Sequence, residues 1–486
     1  MLTRRRFLSL AGSTIASAAL PLMLRAASST GKRNLLFIAI DDLRPVMGCY
    51  GGKAITPNLD KFSKTAAAFD RHYVQWPVCG PSRAAMMSGL RPNTSKVYQN
   101  REAWDISKKP EQWPTMSRYF SDQGHKTFSF GKIYHGKGIG DGYGWSERPW
   151  QPPCGWTCYV NYKYDGKSRD GKTDWRPAYE MYDGSDSMHG DFQTATQAME
   201  TMERSKDKPF CVFAGFYKPH LPFVAPKSYW DLYEGKDIER LKPLERPDDC
   251  VDYAYKYSEL HSYGDQDDTL FSFDNRPDNK QALDLTRAYY AAVSFIDAQV
   301  GRLLKKLDEL GLAENTAVVV WGDHGFHLGD QARWAKHTQF ETDMRSPLMV
   351  RLPGVKHKTG RLHNFAETID IYPTICEYLR LSAPKHLEGD SLIPAMSGKD
   401  KIGKKAAFTE YSPVHKKHNH LMIYTVRTEG YRYIQWRNPK DNNKIVEQEL
   451  YDLQESSVET KNVVKDSAYK DVLRKHQDLI GAEFNF

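Results

Sequence analysis

Four largely apolar runs of strand length punctuate the chain, and each leads directly into polar residues of chemical interest. Leu35-Leu36-Phe37-Ile38-Ala39-Ile40 is followed by Asp41 and Asp42. Residues 127–130 lead into Gly131-Lys132, with His135 just beyond; 210–216 lead into Lys218 and His220; 317–321 lead into Asp323 and His324. Runs of this length read as strands, and Leu35 to Ile40 is continuous enough to be one buried on both faces. Helical patterns separate them. The clearest spans 285–310, where Tyr289, Ala292, Val293, Ile296, Val300, Leu303, Leu304 and Leu307 recur at helical spacing before Gly311 ends the pattern. Strands alternating with helices predict an α/β fold, a mostly parallel sheet sandwiched by helices. Such sheets bind ligands beyond the carboxyl ends of their strands, so the four polar clusters are expected to converge on one site.

The texture changes near residue 400. Residues 424–427 and 431–436 read as a hairpin with Glu429-Gly430 near its turn, and Glu449-Leu450-Tyr451-Asp452-Leu453 leads into a final helix. This predicts a smaller C-terminal α+β subdomain with an antiparallel sheet over 396–486, after a larger domain over 33–395. A chain of 486 residues, 40% hydrophobic and 12% aromatic, is large enough for both cores.

Residues 1–27 stand apart as a predicted export signal. Thr3-Arg4-Arg5-Arg6-Phe7-Leu8 opens an apolar stretch to Leu24, with small residues at Ala26, Ala27 and Ser28. The arginines ahead of Phe7-Leu8 resemble the bacterial twin-arginine address. The stretch is short and broken by Gly12, Ser13, Ser17 and Pro21, which argues against a membrane anchor. The expectation is a periplasmic or extracellular protein that meets the export machinery and has no stable membrane insertion after signal cleavage. Losing Arg4, Arg5, Arg6 and Arg25 lowers the formal charge from +7 to +3. That is too weak a basic bias for a nucleic-acid partner.

Seven cysteines, at 49, 79, 154, 158, 211, 250 and 376, make an odd count, so one is expected to stand apart. Cys154 and Cys158 are close enough in sequence to pair in an oxidising compartment, and their pairing stays open. No second Cys/His pair with metal spacing accompanies them, which argues against zinc.

Cys79 is the cysteine with a context. In Cys79-Gly80-Pro81-Ser82-Arg83, Pro81 suits a first helical turn, placing Cys79 at a helix N-terminus where amides and the macrodipole attract an anion. A lone cysteine is ordinarily a small buried hydrophobe, but here the flanking pattern carries more weight. C-x-P-S-R followed by Ser88-Gly89 resembles the signature of type I sulfatases. That resemblance implies an alkaline-phosphatase-like fold and a cysteine oxidised to formylglycine by a separate maturation enzyme. One oxygen of the hydrated aldehyde attacks sulfur, and the other later expels sulfate by re-forming the aldehyde, a route a serine lacks.

The likeness extends over roughly 33–465. Asp41-Asp42-Leu43-Arg44-Pro45 with Gly48-Cys49-Tyr50-Gly51 is similar to the iduronate-2-sulfatase branch, and Thr56-Pro57-Asn58-Leu59-Asp60 to the family's next helix start. His135 follows Lys132 by three residues, which departs from many arylsulfatases and again resembles that branch. Lys218-Pro219-His220, Asp323-His324-Gly325, Trp334-Ala335-Lys336, Glu449 to Leu453 and Glu459-Thr460-Lys461-Asn462 complete the match.

The resemblance, with the charge of a sulfate ester, implies a role for each residue. Cations must meet the ester oxygens. One Ca²⁺ per chain is expected on Asp41, Asp42, Asp323 and His324 with modified Cys79, since oxygen ligands favour calcium. His324 departs from the asparagine of many sulfatases but agrees with the iduronate type. Arg83 is expected to hold the nucleophile and the carboxylates, and Lys132 and Lys336 to contact sulfate oxygens. His220 is the expected acid for the departing sugar oxygen, and His135 the base that releases sulfate. His327 and His337 are expected either to touch substrate or to support the site by hydrogen bonding.

Residues 136–190 are rich in Trp and Tyr, among them Trp145, Trp150, Trp156, Tyr159, Tyr162 and Trp175, and read either as a sugar-facing wall or as a loop packed on the sheet. The charged insertion 237–280 reads as solvated surface, with a rim contact to an anionic polymer as the lesser reading. The implied activity is hydrolysis of a sulfate monoester on a carbohydrate partner, by resemblance a 2-O-sulfated uronate. Two alternatives remain: a phosphomonoester or phosphonate ester hydrolase of the same superfamily, and a non-catalytic sulfated-glycan-binding protein with an unmodified cysteine.

Overall fold

The computed structural model describes residues 31, 33–102, 106, 109–136, 143–162, 176–238, 240–252, 259–263, 279–398, 403–413 and 420–486. The expected export signal, Trp175 and parts of the 237–280 insertion lie outside them.

Seven strands form the central sheet: β1 (Asn34–Ile40), β2 (Ala67–Tyr73), β3 (Lys126–Gly131), β4 (Phe210–Phe216), β5 (Thr316–Gly322), β6 (Leu348–Arg351) and β7 (Gly360–Glu367), in the order β7-β2-β6-β5-β1-β4-β3. The four apolar runs became β1, β3, β4 and β5. β1 pairs in parallel with both β4 and β5, and β3 pairs in parallel with β4. Only β6 runs antiparallel to its neighbours, so the sheet is mostly parallel.

Every residue of β1, β4 and β5 is buried because both faces are covered. Leu36, Ile38 and Ile40 enter one core while Leu35, Phe37 and Ala39 enter the other, the two-residue alternation of a pleated strand. Among the described residues, the helices flanking the sheet include α1 (Pro57–Ser63), α2 (Cys79–Ser88), α3 (Met116–Asp122), α4 (Gly190–Ser205), α5 (Asn279–Glu309) and α6 (Ile371–Leu379). Leu59 of α1, Met202 of α4 and Leu303 of α5 join the first core, whereas Met86 of α2, Phe120 of α3 and Ile375 of α6 join the second. The pattern expected over 285–310 is α5, and Gly311 just beyond it adopts the left-handed φ of 67° that ends a helix.

A second, antiparallel sheet follows, built from β8 (Ala406–Tyr411), β9 (Met422–Thr428), β10 (Tyr431–Asn438) and β11 (Lys444–Asp452) in sequential order, with α7 (Lys470–Phe484) after it. Its core takes in Trp76, Val78 and Phe340 from the larger half. The C-terminal sheet therefore packs directly against the segment that enters Cys79. Among the described residues no helix is long and apolar enough to cross a membrane.

Candidate active site

The strand register brings the polar clusters together. Ile40 lies opposite both Phe216 and Gly322, and Gly131 opposite Gly215, so β5, β1, β4 and β3 end side by side. Asp323, Asp41 and Asp42, His220 and Lys132 follow those ends. Close approach at the β3–β4 edge depends on bare backbone: a Cβ on Gly131 would lie 2.1 Å from the Gly215 carbonyl oxygen.

Cys79 is the first residue of α2 and is 1% exposed. Asn100 accepts a hydrogen bond from the Gly80 amide at 2.8 Å, and Gly89 ends the helix in a left-handed turn. Cys79 Sγ lies 3.3 Å from His324 Nε2 and 3.5 Å from Lys336 Nζ. One turn further along the same helix, Arg83 donates from Nε to Asp323 Oδ2 at 2.7 Å and from a terminal nitrogen to Asp41 Oδ1 at 3.4 Å. Arg83 also donates to the Lys132 carbonyl, so one planar cation joins the ends of three strands.

Four of the five expected metal-binding residues form one cluster. Ligand atoms of Asp41, Asp42, Cys79 and His324 all lie within 4.8 Å of one another. Asp323 stands beside them with its carboxylate engaged by Arg83 and by the Asp42 amide at 3.0 Å. Two carboxylates, an imidazole and the Cys79 thiol make up this set; its carboxylate oxygens, with Asp323 beside them, are the part that suits a hard divalent cation.

The two lysines join Arg83 in balancing the charge of this buried centre. Lys132 Nζ pairs with Asp41 Oδ2, and Lys336 Nζ with both oxygens of Asp42. Burial works against the charge on Asp41, yet Lys132, then His220 and Arg83, hold its carboxyl well below the usual range. His135 is pushed down to about 3 by burial and by the Lys132 ammonium, so its imidazole is neutral at neutral pH. His220 is also held well below its ordinary value, by burial first and then by Lys336.

These groups line a cavity of about 1050 Å³ that contains Cys79, Lys132, His135, His220 and Lys336. Three further contributors escaped the sequence. Glu259, from the insertion expected to be solvated surface, instead reaches the cavity, with its carboxylate 3.1 Å from Lys336 Nζ and 3.4 Å from His220 Nε2. Asn100 fixes the start of α2. Tyr411, at the edge of the C-terminal sheet, shares the wall with His337 and lies 3.0 Å from its Nδ1.

The aromatic segment divides between its two readings. Trp156 lines the cavity and stands edge-on to His220, with centroids 5.7 Å apart at 84°. Trp145 instead packs on Phe213 of β4, and Trp150 lies against the core of the other face. His327 and His337 also part. His327 is fully buried beside the Asp330 carbonyl and the Thr338 hydroxyl, whereas His337 faces the cavity.

The family model described as Sulfatase matches residues 33–381, and one described as N-sulphoglucosamine sulphohydrolase, C-terminal, matches 329–483. The chain belongs to the sulfatase family. It is 33% identical over 341 residues to iduronate 2-sulfatase from Mus musculus, an alignment covering 67% of this chain and 60% of that protein. The chain therefore spans about three fifths of that relative's length. Two solved structures superpose with a TM-score of 0.74. One is BT4656 in complex with its substrate D-glucosamine-2-N,6-O-disulfate, at 21% identity over 93% of this chain and 97% of that one. The other is the phosphonate monoester hydrolase SpPMH from Silicibacter pomeroyi, at 22% identity over 93% and 95%. All three chains share the alkaline-phosphatase-like fold.

Proposed function

We propose that this protein hydrolyses sulfate monoesters on carbohydrates and that its substrate is a 2-O-sulfated uronate. One observation carries the reading: the residue-79 side chain, at a helix N-terminus, meets His324 at 3.3 Å and Lys336 at 3.5 Å on the floor of a cavity lined by further cations. The choice of sugar draws its support from the 33% identity to iduronate 2-sulfatase.

Two groups supplied after translation belong to the proposal. Formylglycine made from Cys79 by a maturation enzyme would supply a hydrated aldehyde oxygen as nucleophile, and Asp41, Asp42, Asp323, His324 and the modified residue 79 would hold one Ca²⁺, which would supply positive charge to the site. The chain's own residues do the rest. Arg83 locks the first turns of α2 to Asp41 and Asp323, which fixes where the residue-79 side chain points. Lys132 and Lys336 turn their ammonium groups to the sulfate oxygens, where preorganised charge is worth most in a site shielded from water. His220 gives a proton to the departing sugar oxygen. Its low affinity for protons in the free site means that the negative charge of the ester is needed to favour the protonated form. His135, neutral in the free site, accepts the proton released as sulfate leaves.

The second reading is a phosphonate or phosphomonoester hydrolase, favoured by the equal superposition on SpPMH. Turnover of the sulfate and phosphate esters of one alcohol separates the two. The sulfatase reading expects the sulfate ester to react faster, and faster phosphate release overturns it. Within sulfate esters, a 2-O-sulfated uronate disaccharide is expected to outcompete its 6-O-sulfated counterpart.

A further inference from the structure

Cys154-Gly155-Trp156-Thr157-Cys158 forms a short turn on the cavity wall, and its two cysteines meet across its base. Their sulfurs are 2.9 Å apart and both are thiols. Small side-chain rotations therefore separate them from a bond of about 2.0 Å. The backbone is bent to bring them together: Gly155 has φ 68° and Cys158 has φ 52°, a left-handed conformation costly for a residue with a Cβ. Both sulfurs rest on the bare Cα of Gly190, the first residue of α4. A Cβ there would lie 2.4 Å from Cys154 Sγ and 3.1 Å from Cys158 Sγ.

The position ties this turn to the chemistry. Asp191, next to Gly190, accepts hydrogen bonds from the Tyr217 and Lys218 amides at 2.9 Å each, fixing the chain just before His220. Trp156, inside the turn, stands edge-on to that same His220.

We propose that Cys154 and Cys158 form a redox pair whose disulfide clamps the Gly155–Trp156 turn against α4 and sets Trp156 as a fixed wall for the substrate sugar. The bond forms by exchange with a small disulfide such as glutathione disulfide. The Cys154 thiolate attacks one glutathione sulfur and expels the other glutathione as its thiolate. Cys158, giving up its proton, then attacks the Cys154 sulfur of the mixed disulfide and expels the second. Two protein thiols are oxidised to one disulfide, and glutathione disulfide is reduced to two thiols. Cys154 is suited to attack first because it is only half-buried, whereas Cys158 is buried. Hydrogen bonding to Cys158 lowers the Cys154 thiol, and burial raises Cys158.

The disulfide itself does not depend on the sulfatase reading; the role given to Trp156 does. In the first experiment, native full-length enzyme is incubated with glutathione disulfide, alkylated, digested without reduction and weighed. The peptide holding both cysteines is expected to be lighter by two hydrogens and closed to alkylation, and dithiothreitol should restore two alkylatable thiols. Two free thiols, two glutathione adducts or a bond to any other cysteine overturns the pair. In the second, reduction of the enzyme, Cys154→Ser or Cys158→Ser is expected to raise KM for a sulfated disaccharide several-fold with kcat nearly constant. Trp156→Ala should raise KM equally and make it indifferent to dithiothreitol. An unchanged KM on reduction, or a Trp156→Ala enzyme that still responds, overturns the wall. If neither redox form turns over a sulfate ester, the sulfatase reading fails while the mass measurement still decides the disulfide.

Discussion

Lys336 Nζ donates to both carboxylate oxygens of Asp42, at 2.7 and 3.0 Å, across 294 positions of sequence. The lysine is held there by a tense backbone: Ala335 has φ 65° and His337 has φ 86°. Conformations of this kind persist where the surrounding structure overdetermines them, and they gather at functional sites. Burial opposes the ammonium, but Asp42, Cys79 and Glu259 together hold its pKa well above the ordinary lysine value. The charge is therefore present throughout the neutral range. Lys336→Met is expected to lower kcat by about 10²–10³, the cost of removing one preorganised partner of transition-state charge. Its melting temperature is the control for folding, and wild-type kcat in a folded variant removes Lys336 from the proposed role.

Glu259 competes for the same ammonium. In the free site its carboxylate is 3.1 Å from Lys336 Nζ, so a sulfate bound as proposed would share or displace that contact. Glu259→Gln keeps the shape and removes the charge. Inorganic sulfate is expected to inhibit the variant several-fold more tightly than the wild type, measured as the inhibition constant at fixed pH and ionic strength. Equal or weaker inhibition shows that the carboxylate does not oppose anion binding.

Most of this candidate site was legible because its residues sit where largely apolar strands end. Asp41, Asp42, Lys132, His220, Asp323 and His324 announce themselves by position, and Cys79 by the proline and arginine of its helix start. Glu259 carries no such mark: in a charged insertion it looks like any solvated acid, and only the folded chain brings it to Lys336. Asn100 is hidden for the same reason. Trp156 could not be told from Trp145 and Trp150 by composition, because the difference lies in whether the ring meets the sheet or the cavity. β6 contributes four residues, too few to stand out as a strand, so the one antiparallel member of the central sheet went unforeseen.

The C-terminal sheet is tied to the larger half by buried charge. Glu341 accepts from Tyr73 and pairs with Arg427 and Arg432, and Arg432 also pairs with Glu459. Burial alone would raise the Glu341 carboxyl, but Arg427 and then Arg432 hold it down at about 2 against an ordinary 4.5. A depressed carboxyl contributes stability that is fully present above the unfolded value and fades as pH falls toward the folded one. At about 1.4 kcal/mol per pKa unit, the contribution is roughly 3 kcal/mol at pH 7. Glu341→Gln should therefore melt well below wild type at pH 7, with the gap narrowing as pH drops from about 4.5 toward 2. A gap independent of pH contradicts the ion-pair account.

If the cluster of Asp41, Asp42, Cys79 and His324 holds calcium as proposed, the ion is a stability ligand as well as part of the site. Enzyme stripped with a chelator is expected to melt at lower temperature and to recover when calcium returns, by about 2.7 kcal/mol at a hundredfold excess over Kd. Asp42→Asn should abolish this calcium response. A melting curve indifferent to calcium in the wild type contradicts the assignment.

The most direct test of the whole account is the mass of the peptide that carries residue 79, taken from enzyme shown to release sulfate from a sulfate ester. The account predicts an aldehyde at that position, and a Cys79→Ala protein that folds but does not turn over substrate. Active enzyme bearing only the Cys79 thiol contradicts it.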